Sequence, residues 1–141
     1  MSDRPFFLDT NIIVYSFDRR SPKKRDRAQV LIEEALRTGK GKISYQVVQE
    51  FLNVATRKFE TPITTSDAEI YLQNVLEPLC DIYASPLLFQ QALGIAERWH
   101  YSYYDSLIIA AASSADCEIL YSEDLQHGQS IGKLKIVNPF R

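Results

Sequence analysis

What is scarce in this 141-residue chain narrows its chemistry first. Its two cysteines, Cys80 and Cys117, stand far apart and form no CxxC pair. That excludes a disulfide framework and a cysteine-rich zinc site, and it predicts free thiols in a reducing compartment. The chain holds only two histidines, His100 and His127. A two-histidine acid–base site is possible on count but poorly placed, since His100 is expected at a helix end, as a C-terminal cation or a core partner. Neither sign of charge dominates: 16 Lys and Arg face 18 Asp and Glu, a net charge of −2. No global basic field advertises a polyanionic partner, so any such contact must be local. Long apolar runs are missing too. "LIIAAA" is far short of a bilayer span and reads as core, and "MSDRPFFLDT" has no apolar signal segment. The expectation is a cytoplasmic protein without a membrane span. There is no repeat, linker or low-complexity tract, so residues 1–141 are expected to form one domain.

What is present alternates between two periodicities. "PFFLD" reads as a first strand near residues 5–9, and "TNIIVYSF" as a short helix directly after it. A longer helix begins at Ser21 and Pro22, carries Ala28, Leu31, Ile32 and Ala35 on one stripe, and stops at Gly39. "KIS" is a second strand. "YQVVQEFLNVATRKF" is amphipathic, with Val47, Val48, Phe51, Leu52 and Ala55 aligned. Helices are predicted over 66–77 and 86–99, with a strand-like "CDIYA" between them. Another helix ends near Ala115, and "CEILYS" and "KLKIVNPF" are strands. "SEDLQHGQSIGK" is the longest irregular segment, a candidate site loop. Strands alternating with helices predict an α/β fold with a mainly parallel central sheet flanked by helices.

In "YYDSLIIAAA" an aspartate opens a helix that is apolar nearly all round. At about 100° per residue Asp105 shares its face with Ile108, Ile109 and Ala112. It is either a first-turn acid stabilised by free N–H groups or a member of a carboxylate set around a cation. Other acids fall near strand ends, where ligands collect in open α/β sheets. Asp9 closes the first strand, and Glu123 and Asp124 follow the "CEILYS" strand. Glu50 flanks an apolar helix stripe. Each alone has a plain explanation: a cap, a solvated flank or a loop acid. Together they do not, because two carboxylates at about 4 Å repel by roughly 4 kcal/mol at an effective dielectric near 20. Several can share a pocket only if protonated or offset by a cation. An all-oxygen set points to Mg²⁺ or Mn²⁺, and such ions suit phosphodiester chemistry.

The stretches "FLDTNIIVYSFD", "QVVQEFLNV", "YSYYDSLIIAAA" and "ILYSEDLQHGQ" together resemble a PIN domain, in particular the VapC-type toxins of bacterial toxin–antitoxin pairs. The resemblance runs over nearly the whole chain. It implies a Rossmann-like fold and a Mg²⁺- or Mn²⁺-dependent endoribonuclease that leaves 5′-phosphate and 3′-hydroxyl ends. By position it implies catalytic and metal-binding roles for Asp9, Glu50, Asp105 and Asp124, with Thr10, Asn11 and Ser122 as supporting polar residues. Glu123, beside Asp124, leaves the fourth place open between two acids. The resemblance also implies an RNA substrate, a cognate antitoxin and a homodimer.

Three further expectations concern surfaces. "RRSPKKRDR" offers Arg19, Arg20, Lys23, Lys24, Arg25 and Arg27 as a solvated helix start, as RNA-phosphate contacts or as a partner surface. Tyr101, Tyr103 and Tyr104 are expected to pack in the core, with base stacking as the other reading. Residues 66–99 carry none of the proposed ligands and are expected to supply dimer surface, with Tyr71 and Leu72 in it. Two other functions compete. Phosphoaspartate chemistry also uses an acid after the first strand, but "DTN" lacks the second acid of a D-x-D pattern, and Asp3 stands alone before the strand. The second is a catalytically silent PIN-like module that binds RNA or an antitoxin.

Overall fold

Three consecutive apolar residues, Phe6–Leu8, form β1, which is buried on both faces as the central strand of a parallel sheet must be. The computed structural model describes residues 4–141, so Asp3 lies outside the described residues. Six strands are ordered β3-β2-β1-β4-β6-β5. β2 is Gly41–Ser44, β3 Cys80–Ile82, β4 Ile119–Tyr121, β5 Ser130–Ile131 and β6 Leu134–Val137. Every pairing is parallel except that of β5 with β6. Phe6 stands opposite both Gly41 of β2 and Ile119 of β4.

The chain builds the sheet outward from β1 through β2 to β3, then returns to add β4 on the other side of β1. This leaves a topological switch point at the carboxyl ends of β1 and β4, where open α/β sheets form their crevice.

The helices follow the predicted stripes. α1 is Thr10–Tyr15 and α2 is Pro22–Thr38, with Ala28, Leu31, Ile32 and Ala35 all buried. Gly39 ends α2 with φ +70°, a left-handed conformation that favours glycine. Ser21 stands at the N-cap of α2, but its hydroxyl makes no capping bond, so Pro22 and the chain turn set the start. In α3 (Tyr45–Arg57), Val47, Phe51 and Ala55 are fully buried, and Val48 and Leu52 partly so. The predicted 66–77 helix is α4 (Thr65–Tyr71), which runs through a π-helical turn at Leu72–Leu76 into the short α5 (Glu77–Leu79). α6 (Pro86–Trp99) is capped by Ser85, whose Oγ accepts from the Leu88 N–H. α7 (Tyr103–Ser114) is buried without a break from Ser106 to Ala112, which explains its lack of a polar face.

One expectation is corrected and another is narrowed. The "SEDLQHGQSIGK" segment is not wholly irregular, because Ser130–Ile131 forms β5 as an antiparallel edge on β6. His100 is not a core partner; it stands exposed at the C-terminal end of α6, the other position expected of it, with φ +63°, and its N–H caps the helix at the Ala96 carbonyl. Both cysteines are free thiols, and burial pushes Cys117 up to about 12. Among the described residues, no helix is long and apolar enough to cross a membrane.

Candidate functional site

Asp9 follows the last residue of β1 and caps α1. Its N–H donates to the Tyr121 carbonyl of β4, and its Oδ1 accepts from the Thr10 N–H at 2.7 Å. The capping reading of Asp9 is therefore correct as local structure, yet the residue does more. Its Oδ2 accepts from the Ser122 Oγ at 2.7 Å, across the switch point. The carboxylate is only 7% exposed, and burial raises its pKa to about 6. Hydrogen bonds from Ser122 and Thr10 oppose that rise, while the charges of Glu50 and Asp124 add to it.

Glu50 enters from the middle of α3. The Thr10 Oγ1 donates to its Oε1 at 2.6 Å, and the Gln46 Nε2 to its Oε2 at 3.2 Å. Asp105 stands in the first turn of α7, where its N–H donates to the Oγ of the N-cap Ser102 at 3.1 Å. The cap is thus Ser102 and not Asp105. Partial burial raises the Asp105 pKa; Ser102 opposes this, and the charges of Asp124 and Glu50 reinforce it.

Asp124 is exposed at the rim, where its Oδ2 accepts from the Asn11 Nδ2 at 3.1 Å. The same Nδ2 reaches Ser122 Oγ at 3.4 Å and Asp9 Oδ2 at 3.5 Å.

Glu123 points elsewhere. Its carboxylate accepts from the Tyr15 hydroxyl at 2.6 Å and the Lys24 ammonium at 2.5 Å. Partial burial raises its pKa, but these two donors outweigh that and hold it below the usual carboxylate range. Of the two neighbouring acids, Asp124 is the one brought beside Asn11 and the Asp9 pocket.

The four acids Asp9, Glu50, Asp105 and Asp124 therefore share one electrostatic field, and among the described residues none is ion-paired to a Lys or Arg. An all-oxygen set short of positive charge suits a hard divalent ion. Their spacing is open. Among the described residues, no group of three or more His, Cys, Asp or Glu side chains stands ready to hold a metal ion; the acids are linked instead through Thr10, Asn11 and Ser122.

Two residues at the site escaped sequence reasoning. Gln46 joins α3 to α7 by donating to both Glu50 and the Tyr104 carbonyl, at 3.2 Å each; its place one turn before Glu50 was the only signal. Lys24, expected only as part of a basic cluster, is tied to Glu123 and lies 4.7 Å over the Tyr15 ring. Of its basic neighbours, Arg20 pairs with Asp18 and Arg25 with Asp26. Arg19, Lys23 and Arg27 are exposed and make no ion pair among the described residues. The predicted core packing holds for Tyr101 and Tyr103, which are partly buried on the core, but Tyr104 is exposed.

Comparison with known proteins agrees with this geometry. The PIN domain family model matches residues 6–129. No curated protein sequence matches the chain significantly. Among solved structures, a toxin–antitoxin complex from Klebsiella pneumoniae is similar, with a TM-score of 0.65 and 19% identity over 94% of this chain and 96% of the other. FitAcB from Neisseria gonorrhoeae gives a TM-score of 0.64 at 17% identity, covering 96% and 98%. VapC20 of Mycobacterium tuberculosis, described as a sarcin–ricin loop cleaving toxin, gives 0.57 at 19% identity, covering 84% and 89%. At these identities the structures speak for the fold.

Proposed function

Since the chain belongs to the PIN domain family, we propose that it is a Mg²⁺- or Mn²⁺-dependent endoribonuclease and the toxin of a toxin–antitoxin pair. One observation carries this reading. Asp9, Glu50, Asp105 and Asp124 come from four different segments toward the switch point of the sheet, and among the described residues no Lys or Arg is ion-paired to them. A merely structural set of acids would be paired or dispersed, since like charges in one pocket are costly.

These four residues would hold the ion. When bound, a divalent ion supplies positive charge to a phosphodiester and makes water a better nucleophile near neutral pH. The chain's own polar groups prepare the acids for it. The Thr10 N–H and Ser122 hydroxyl fix both oxygens of Asp9, and the Thr10 hydroxyl and Gln46 amide fix both oxygens of Glu50. Asn11 holds Asp124 against the same centre. The phosphate would approach from the rim where Asp124 is exposed.

The reading implies an RNA substrate, an antitoxin that silences the site, a second copy of the chain and a cytoplasmic setting. Its partners have surface to use. Two clefts of about 560 and 660 Å³ flank Phe17 and Arg19, and none of the four acids lines them. Exposed Leu87 (63%) and Leu93 (59%) lie on α6, within the 66–99 segment proposed for dimer contact. Tyr71, proposed for the same contact, also joins an aromatic cluster, 5.1 Å from Phe17 and 5.2 Å from Phe51.

The test is cleavage of total RNA by purified chain freed of any bound partner, in Mg²⁺, Mn²⁺ or EDTA, beside a folded Asp105→Asn variant. The expected result is cutting that needs the metal and falls by at least about 100-fold in the variant, the scale set by removing a catalytic charge. Absence of cutting in either metal would return the chain to a binding module.

A further inference from the structure

No large apolar or aromatic side chain among the described residues is more exposed than Tyr104, at 67%. A single exposed ring is ordinary on a protein surface, so what surrounds it decides whether it has a role. Its surroundings are built. Tyr103 meets it edge-on, with centroids 5.5 Å apart and planes at 75°, and is itself anchored on the core. Tyr45, the first residue of α3, is coupled to both phenols: burial pushes its own phenol up, and the charges of Tyr103 and Tyr104 add to that.

The backbone beneath the ring is tied to the acids. The Tyr104 carbonyl accepts from the Gln46 amide, which also holds Glu50, and the next residue is Asp105. The ring therefore stands at a fixed offset from two of the four carboxylates, at the same end of the sheet.

Lys24 of α2 is held by Glu123, the neighbour of Asp124. Among the described residues, no Lys or Arg stacks on Tyr45, Tyr103 or Tyr104. A nucleic-acid strand crossing an acidic centre needs attraction on its flanks, and the open face of the Tyr104 ring offers one. Aromatic rings supply that to unpaired bases of any sequence, whereas a base inside a duplex has its faces covered.

We infer that Tyr104, buttressed by Tyr103, is a stacking platform for an unpaired base next to the cleaved bond. The inference rests on the ribonuclease reading above.

The experiment is steady-state cleavage of a fluorescently labelled, mixed-sequence single-stranded RNA 20-mer in Mg²⁺. It compares wild type with Tyr104→Ala, Tyr104→Leu, Tyr104→Phe and Tyr104→Trp, each checked by light scattering and thermal melting. Removal of the ring in Tyr104→Ala and Tyr104→Leu is expected to raise KM about 5- to 100-fold, the range set by one base–aromatic stack, with kcat nearly unchanged. Tyr104→Phe and Tyr104→Trp are expected to keep KM near that of wild type. A Tyr104→Leu variant as good as Tyr104→Phe would show that apolar bulk suffices and overturn the stacking role. So would an unchanged KM in Tyr104→Ala, or a change in molar mass that places Tyr104 at a protein interface. Wild type that cuts while the variants match it sinks only this inference; wild type that cuts nothing sinks the ribonuclease reading as well.

Discussion

The hydroxyl of Thr10 donates to Glu50 Oε1 at 2.6 Å, joining the first turn of α1 to the middle of α3 across 40 residues of sequence. The backbone N–H of Thr10 holds Asp9 at the same time, so one residue positions two of the four acids. Thr10→Val keeps the shape and the N–H but removes the hydroxyl. A hydrogen bond to a charged group contributes about 1.5–3 kcal/mol, so the cleavage rate is expected to fall at least about tenfold. Thr10→Ser is expected to retain most of it. Equal activity in Thr10→Val and wild type would remove Thr10 from the site's support.

The basic residues near α2 divide into two kinds, and salt separates them. Lys24 is consumed by Glu123, whose own N–H meets Asn11 Oδ1 at 3.3 Å, so it steadies the turn that carries Ser122 and Asp124. Arg19, Lys23 and Arg27 are exposed and free of ion pairs among the described residues, hence available to phosphate. Neutralising these three is expected to flatten the slope of log K for single-stranded RNA against log salt by about 0.7 for each phosphate that no longer meets a cation. Lys24→Gln is expected to lower cleavage while leaving the slope alone. The opposite pattern in anisotropy titrations would reverse the two assignments.

Much of this was legible in the sequence because it is periodic or local. The buried stripes of α2 and α3 repeat at helical spacing, Gly39 is the stop it looks like, and β1 is short and wholly apolar because both its faces are covered. Of the acids singled out, Asp9 and Glu50 are linked through Thr10, Asp9 and Asp124 through Asn11, and Asp105 feels the charge of Asp124 and Glu50. What stayed hidden depends on partners distant in the chain. The choice between Glu123 and Asp124 is made by Tyr15 and Lys24, 108 and 99 residues away, which draw one of two adjacent acids aside. The two-residue β5 has no pattern of its own and exists only because β6 offers it an edge. The exposure of Tyr104 cannot be read from helical phase, since α7 is buried all round from Ser106 to Ala112.

Packing of α2 onto the sheet predicts a sharp contrast between two glycines. A Cβ at Gly41 would stand 2.1 Å from Ala35 Cβ and 2.7 Å from its Cα, with Phe6 at 3.0 Å. Backbone must move to admit it. Gly41→Ala is expected to cost about 3 kcal/mol or more, near the upper end of overpacking, and to lower Tm by roughly 10 °C. Gly94, within α6, has nothing within 4 Å of the same added atom. Gly94→Ala is expected to stabilise by about 0.5–1 kcal/mol through helix propensity. Two thermal melts decide it, and equal Tm changes would refute the close approach of α2 to β2.

Asp9 makes the metal-free protein sensitive to pH in a direction opposite to ordinary acid denaturation. Its pKa is about 6 in the folded chain against 3.8 as a free side chain, chiefly through burial. The folded state therefore keeps a proton that the unfolded state has already lost. The associated stability is full below pH 3.8 and drains away as pH rises through 6. Between pH 4 and pH 7 this amounts to about 2–3 kcal/mol. Asp9→Asn cannot ionise, so its stability relative to wild type is expected to rise by that amount over the same interval in EDTA, measured by urea unfolding. Mg²⁺ at pH 7 is expected to return stability to wild type alone, because only the ionised carboxylate gains from the ion. A wild-type-minus-variant difference that stays flat from pH 4 to pH 7 would show that Asp9 is already offset within the chain, and would remove the electrostatic reason for a cation at this site.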